Sequence, residues 1–359
     1  MDAIDVPGTG PPGRPAVNDM SHLPLQVSAG LARPWLVADI GGTNARFGWV
    51  AEGAQGVAHV TTLPVAAHRK PAAAAQAYLA ALAAQLGSAY APPRAAALAV
   101  ATAVGEDQVA MTNSGWSFSR QALRAELALD ELLVLNDFEA LALSLPRLGA
   151  SQLRTVGDAG LARAGAAASA MAVIGPGTGL GVAGILPTAV GWAAIPGEGG
   201  HASLAPADDF ESQLLAAARD EFPHVSAERF LSGIGLPVLH RAVAQVLGVA
   251  TPGLTTEEVV ERGLARTDRV CDRTLDAFCA LLGGFAGSTA LVLGARGGVF
   301  IGGGIVPRLG ERFFASAFRE RFEAKGRFQD YLRAIPTALI TDTLVALTGA
   351  SFALEQRGR

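Results

Sequence analysis

The stretch Trp35-Leu36-Val37-Ala38-Asp39-Ile40-Gly41-Gly42-Thr43-Asn44-Ala45-Arg46-Phe47-Gly48-Trp49-Val50 decides the fold. Its first six residues are mostly apolar and read as a buried strand. Gly41 to Asn44 turns the chain, and Ala45 to Val50 reads as the returning strand. The pattern recurs a domain's length further on. Ala172-Val173-Ile174 enters the turn Gly175-Pro176-Gly177-Thr178-Gly179, and Leu180 to Leu186 leaves it. Two such units suggest a duplicated module. A third buried strand, Val299-Phe300-Ile301, enters Gly302-Gly303-Gly304. Between these lie an Ala-rich helix over 71–88 with Tyr78, Leu79 and Leu82 on one face, and short strands at Ala95–Val100 and Leu132–Leu135. A helix follows through Phe138–Leu145, and residues 208–296 are mostly helical in pattern. Strands alternating with helices make this an α/β chain.

The chain has 359 residues, enough for two domains and a large core without disulfides or metals. It carries 28 basic and 32 acidic residues, a net charge of −4, and only two lysines, Lys70 and Lys325. That balance argues against a nucleic-acid partner. Hydrophobic residues make up 50% and charged residues 17%, which excludes disorder over most of the length. Residues 1–33 are the exception: rich in Pro and Gly and without periodicity, they read as a disordered extension. Two cysteines, Cys271 and Cys279, rule out a disulfide framework and a four-cysteine zinc site, and they suit a reducing compartment.

The mean hydropathy of +0.33 raises a membrane reading. Residues 164–197 and 277–295 carry no formal charge and have spanning length. A glycine turn, Pro187 and Pro196 interrupt the first, which would strand polar backbone in lipid. The second reads as a buried core helix. No basic n-region and no long apolar run opens the chain, so no signal peptide and no membrane partner are expected, and the expected location is cytoplasmic.

Several residues carry candidate chemistry. Asp39 stands at a strand end beside Gly41-Gly42, where amides can approach a phosphate and a carboxylate can face hydrated Mg²⁺; a solvated hairpin Asp is the alternative. Gly177 and Thr178 offer a second anion-facing turn. Gly302, Gly303 and Gly304 would let a flat ring approach backbone. Asn136-Asp137 ends a strand, where a carboxylate could take a proton from a substrate hydroxyl, or could simply cap the following helix. Pro196-Gly197-Glu198-Gly199-Gly200-His201 leaves a carboxylate and an imidazole on glycine-rich backbone, both suited to vicinal hydroxyls. Glu198-x-x-His201 and Glu221-x-x-His224 match a di-iron ligand pair, but Gly199-Gly200 and Pro223 oppose the helices that such a site needs. Ser226-Ala227-Glu228-Arg229 resembles a capping-box start to a helix, and Glu228 could be an ordinary helix charge. Gly179-x-Gly181-x-x-Gly184 lies in strand-like surroundings with no acidic ribose partner downstream, so it is not a dinucleotide motif; no GxxxxGK[ST] string occurs.

Taken in order, these segments resemble the bacterial glucokinase family, with its actin- and hexokinase-like fold. The resemblance runs from about Trp35 to Phe352. It rests on Asp39 to Arg46, Met111-Thr112-Asn113 with Trp116, Leu135 to Phe138, Gly177 to Gly181, Pro196 to His201, His224 to Arg229, Gly302 to Pro307 and Lys325 to Phe328. It implies a two-domain α/β, ribonuclease H-like architecture with the active site in the interdomain cleft. The small domain would comprise 34–147 plus 339–359 and the large one 148–338. By the same resemblance Asp137 is the general base for the sugar 6-hydroxyl. Asn113, Asn136, Glu198, His201 and Glu228 join it as sugar ligands. Asp39, Gly41, Gly42, Thr43 and Asn44 form the first phosphate turn, Gly177 and Thr178 the second. Gly302, Gly303 and Gly304 belong to the adenosine site. ATP with Mg²⁺ is implied, with the ion reached from Asp39 through water and no dedicated protein metal site, and so is a homodimer.

Two segments depart from the family pattern. Ala101-Thr102-Ala103-Val104-Gly105 lacks a usual proline, and Asp342 to Leu347 replaces a usual Asn-Pro-Gly-Leu-Leu. Alternatives are a kinase for another hexose, a polyphosphate-using glucokinase, or a non-catalytic sugar sensor. A sensor of this fold would carry an N-terminal helix-turn-helix, for which 1–33 is too short and too rich in proline.

Overall fold

A computed structural model describes residue 31 and residues 33–54, 56–111, 114–159 and 169–358. Strands β1 (Trp35–Ile40), β2 (Asn44–Val50), β3 (Ala58–Pro64) and β4 (Ala95–Val100) come first. A small hairpin of β5 (Gln108–Ala110) and β6 (Ser117–Ser119) precedes β7 (Glu131–Asn136). The larger strands form one sheet, in the order β3-β2-β1-β4-β7. β8 (Leu153–Thr155), β9 (Met171–Pro176), β10 (Leu180–Thr188), β11 (Gly191–Gly197), β12 (Gly298–Ile301) and β13 (Thr337–Ile340) form the second, in the order β11-β10-β9-β12-β13-β8.

With β8 set aside, the two sheets have the same plan. β1 is antiparallel to β2 and parallel to β4, which is parallel to β7. β9 is antiparallel to β10 and parallel to β12, which is parallel to β13. The sequence echo between the two glycine turns is therefore a repeat of topology. Each turn joins the central strand of its sheet to its antiparallel neighbour.

Parallel strands must be covered on both faces, which is why β4 reads AAALAV and is buried throughout. Alternate residues serve different cores. Leu36, Ala38 and Ile40 pack with Tyr78 and Leu82 of the helix Pro71–Leu86. Trp35 and Val37 face a layer shared with Val173, Ile185 and Phe300 of the second sheet. The helices Asp137–Ser144 and Val345–Arg357 pack on each other within that layer. Ala172 and Ile174 face a third core built with the helices Leu236–Val246 and Arg269–Leu293.

Several expectations shift in detail. The helix expected within 277–295 starts earlier, because Asp268 caps it by accepting the amides of Val270 and Cys271. Among the described residues it is the one helix long and apolar enough to cross a membrane by length and composition. Its Leu275, Phe278, Cys279 and Leu282 are fully buried in the third core. The chain crossing expected near 338 falls inside β13, which is hydrogen-bonded to β12 and β8, so the chain leaves the second sheet only after Ile340. Most of the expected extension, 1–33, lies outside the described residues. Leu31, however, packs on the inter-sheet core and Arg33 donates to the Ala54 carbonyl at 2.6 Å, so packing begins before residue 34.

Candidate active site

The C-terminal ends of β1, β4 and β7 lie side by side, with Ile40 opposite Val100 and Val100 opposite Asn136. Loops leaving such an edge are where α/β sheets collect reactive groups. Asn136 is the cap of the helix that follows. Its Oδ1 accepts the amides of Phe138 at 2.9 Å and Glu139 at 3.4 Å, and its Nδ2 donates to the Thr102 carbonyl at 3.1 Å. The cap reading of this dipeptide therefore holds for Asn136, and it leaves the next carboxylate, Asp137, on the cleft wall. The Asp137 carboxylate accepts the Phe138 amide at 2.9 Å. Burial pushes its pKa up to about 6, the Phe138 amide opposes the rise, and the charges of Asp39 and Glu198 add to it.

Phe138 fixes this arrangement against the other sheet. A Cβ on Gly181 would lie 2.0 Å from its ring, and one on Gly175 would lie 2.3 Å away. The ring occupies a slot that only a paired glycine hairpin leaves open. Glycine at these positions in β9 and β10 thus positions the neighbouring Asp137.

Two hollows meet here. One, of about 910 Å³, is lined by Asn136, Asp137, Glu198, His201 and Glu228. The other, of about 630 Å³, is lined by Asp39, Arg46, Asp137, Gly304, Ile305 and Arg308. Gly41, Ala101, Asp137, Gly177 and Thr178 line both. Asp137 therefore stands where a ligand in the first hollow would touch a ligand in the second.

The first hollow gathers the residues expected from the Pro196–His201 segment. That segment looks flexible in sequence, but it is a strand end running into a short 3-10 turn, Gly199–His201. Gly200 is buried, and a Cβ there would lie 2.0 Å from the Leu180 carbonyl, so glycine serves close approach. Glu228 does not start a helix. Ala227–Arg229 is a single 3-10 turn, Ser226 makes no cap bond, and the next helix begins at Leu236. The competing interaction is visible: Glu228 Oε2 accepts the Leu180 amide at 2.9 Å, and Oε1 lies 4.0 Å from His201 Nδ1. This brings Glu228 to the cleft from a distant segment. The di-iron alternative fails, since neither motif lies on an α-helix and Glu221 is paired with Arg241 at 2.8 Å.

At the second hollow, Asp39 pairs with Arg46 at 3.0 Å. Burial raises the Asp39 pKa, and Arg46 opposes the rise. The turn at Gly177 and Thr178 is pinned from outside, as Gly233 donates to the Gly177 carbonyl at 2.8 Å and Ile234 to that of Thr178 at 3.3 Å. Gly303 has a φ of 75° and sits against the Pro176 carbonyl, where a Cβ would collide at 2.3 Å.

Of the expected site residues, Gly42 and Thr43 also line the first hollow, and Gly303 joins them. Asn44 and Gly302 line neither hollow. Asn44 closes its turn through its carbonyl to the Gly41 amide at 2.9 Å, and Gly302 is buried with its amide on the Ile174 carbonyl at 2.8 Å. Asn113 lies outside the described residues. Arg46, Ile234 and Arg308 were not singled out from sequence, yet all line the second hollow. Arg46 was findable, because folding the β1–β2 hairpin about its turn sets Arg46 opposite Asp39. Ile234 and Arg308 come from remote segments and give no such signal.

A family model for glucokinase matches residues 36–357. The chain belongs to the glucokinase family. It is 47% identical over 322 residues to a glucokinase of Aromatoleum aromaticum, covering 90% of this chain and 95% of that one. It is 48% identical over 328 residues to a glucokinase of Chromobacterium violaceum, covering 90% and 91%. Among solved structures, the glucokinase of an Antarctic psychrotroph superposes with a TM-score of 0.81 at 38% identity, covering 89% of this chain and 98% of that one. Family membership fits the two-sheet architecture and accounts for the start of the match at the first strand. The segments 101–105 and 342–347, noted in the sequence, are each held by local hydrogen bonds. The Ala101 amide donates to the Ile40 carbonyl at 3.1 Å and Thr102 Oγ1 to the Ala110 carbonyl at 3.0 Å. Asp342 accepts from the Leu344 amide at 2.8 Å and from Gln152 at 2.7 Å.

Proposed function

We propose that the chain transfers the γ-phosphoryl group of ATP to the 6-hydroxyl of glucose, supplying glucose 6-phosphate to glycolysis. The observation that carries this reading is the position of Asp137 on the walls of both hollows. In this reading the sugar occupies the hollow of Asn136, Glu198, His201 and Glu228, with Asn113 completing its ligands. The phosphates lie against the turn from Asp39 to Thr43 and against Gly177 and Thr178. The adenosine lies toward Gly303 and Gly304.

The chemistry follows from those places. Asp137, ionised above about pH 6, accepts the proton of the 6-hydroxyl. The sugar oxygen forms its bond to the γ-phosphorus as the bond to the β-phosphate bridging oxygen breaks, and ADP leaves. The raised pKa suits the task, because a base near the working pH both stays largely ionised and binds the proton well. Arg46 and Arg308 offer positive charge at the nucleotide end. Asp39 is an oxygen donor at the same end, which fits an ion of the Mg²⁺ type reached through water. When bound, Mg²⁺ supplies charge neutralisation on the phosphates. Residues 34–147 together with the C-terminal helix would form one lobe and the second sheet with its helices the other, with the chain crossing back over 341–344. Closing the lobes would exclude water from the phosphoryl group. A cytoplasmic homodimer is the setting proposed.

A coupled ADP-release assay tests the reading. Mg-ATP is offered with glucose, mannose, fructose or N-acetylglucosamine, and polyphosphate replaces ATP in a parallel series. Turnover with ATP and glucose well above every other pair is expected. Turnover only with polyphosphate, or preference for another sugar, contradicts the reading. Glucose binding without any turnover returns the sensor alternative.

A further inference from the structure

Within the third core, away from the residues that line the two hollows, three metal-ligating side chains from two helices converge. A ring nitrogen of His240, a carboxylate oxygen of Asp268 and the sulfur of Cys271 lie within 4.8 Å of one another. His240 belongs to the helix Leu236–Val246, Asp268 caps the helix Arg269–Leu293, and Cys271 stands in its first turn. His240 and Cys271 are fully buried, while Asp268 is partly exposed and gives the cluster a route to solvent.

An independent observation points to a ligand. His240 Nδ1 is a buried polar atom with no hydrogen-bond partner. Such atoms are costly unless something else satisfies them. Thr251 Oγ1 lies 3.5 Å from His240 Nε2 and is also placed to donate to the Pro252 carbonyl at 3.3 Å. With the hydroxyl proton on that carbonyl, Nε2 carries the ring proton and Nδ1 offers its lone pair.

We propose that His240, Asp268 and Cys271 bind a divalent ion of the zinc class. The donor set combines imidazole, carboxylate and thiolate, which suits zinc and disfavours Mg²⁺ and Ca²⁺. Three protein ligands leave a fourth position for water. Charge balances, since Asp268 and a Cys271 thiolate together neutralise the ion, and the thiol proton is released on binding. Without the ion that thiol donates to Asp268, and burial and the carboxylate hold it protonated, with its pKa pushed up to about 11. The other charges facing the ring are accounted for: Arg262 is paired with Glu258 at 3.5 Å and Arg241 with Glu221 at 2.8 Å. The ion would tie two helices together, next to the helix Thr256–Ala265, whose first residues line the second hollow.

The test uses tag-free, chelator-treated full-length protein titrated with Co²⁺, whose bond to a thiolate gives a charge-transfer absorption. With only two cysteines in the chain, the assignment is direct. One equivalent of Co²⁺ should bind with that band and be displaced by Zn²⁺. The band should vanish in Cys271→Ser and persist in Cys279→Ser, and His240→Gln should weaken binding at least tenfold. Asp268→Asn keeps the helix-cap oxygen and should also weaken binding at least tenfold, so it serves if Cys271→Ser fails to fold. Zn²⁺ should raise the melting temperature of the parent protein and not that of Asp268→Asn. Absence of the band in the parent protein, its persistence in Cys271→Ser, or unchanged affinity in Asp268→Asn would overturn the proposal.

Discussion

At the scale of single residues, the account rests on Asp137 and on what its neighbours do to its proton. Burial and two nearby carboxylates raise its pKa to about 6 in the folded chain. The value of kcat/KM should therefore fall about tenfold per pH unit below about pH 6, as the base becomes protonated. A pH profile flat down to pH 5 would contradict this. The same shift bears on stability. Below the unfolded value, near 3.9, the group is protonated in both states and costs nothing. Between there and about pH 6 the folded state binds more protons, so stability falls as pH rises, and the full cost persists above pH 6. Asp137→Asn removes that cost while keeping an oxygen for the Phe138 amide. The variant should be more stable than the parent by about 1–3 kcal/mol at pH 8 and closer to it near pH 4. Urea denaturation at the two pH values reads this directly; equal stability at pH 8 would mean that the carboxylate is not held at a cost.

At the scale of elements, the site depends on strand ends and on helices that start where β-strands stop. The glycine hairpins were legible because a buried apolar run followed by glycines and a returning strand has few other readings. The depth of the repeat was not, because strand order and sense are set by pairings between segments far apart in sequence. Glu228 shows the same limit: its local pattern favours a helix start, and a bond to Leu180, 48 residues away, overrides it. Phe138 is another case. Nothing near it in sequence shows that Gly175 and Gly181 form its slot. Gly181→Ala should force the ring out and destabilise the fold by about 1–3 kcal/mol, as overpacking does. Phe138→Ala should also destabilise, by leaving a cavity. Combined, the two should cost less than their sum, since the new methyl then fills vacated space. Strict additivity in a double-mutant cycle would argue that the two residues do not share a slot.

At the scale of the whole molecule, two sheets of one plan face each other across a shared core, and their glycine turns open on one cleft. Composition and alternation made the α/β class legible, and the resemblance of ordered motifs carried the family. The meeting of two hollows at one carboxylate needed the assembled chain, because it joins β7, β9, β11 and the 226–229 turn. If the lobes close on the sugar, saturating glucose should lower the radius of gyration measured by small-angle scattering, and an unchanged value would contradict closure. The most direct test of the central claim, that Asp137 takes the proton where sugar and nucleotide meet, is to measure kcat and the glucose dissociation constant of Asp137→Asn together. The account predicts a kcat loss of about 10²–10⁴-fold, with glucose binding changed by less than about tenfold. A variant that keeps more than about a tenth of the parent kcat would contradict it.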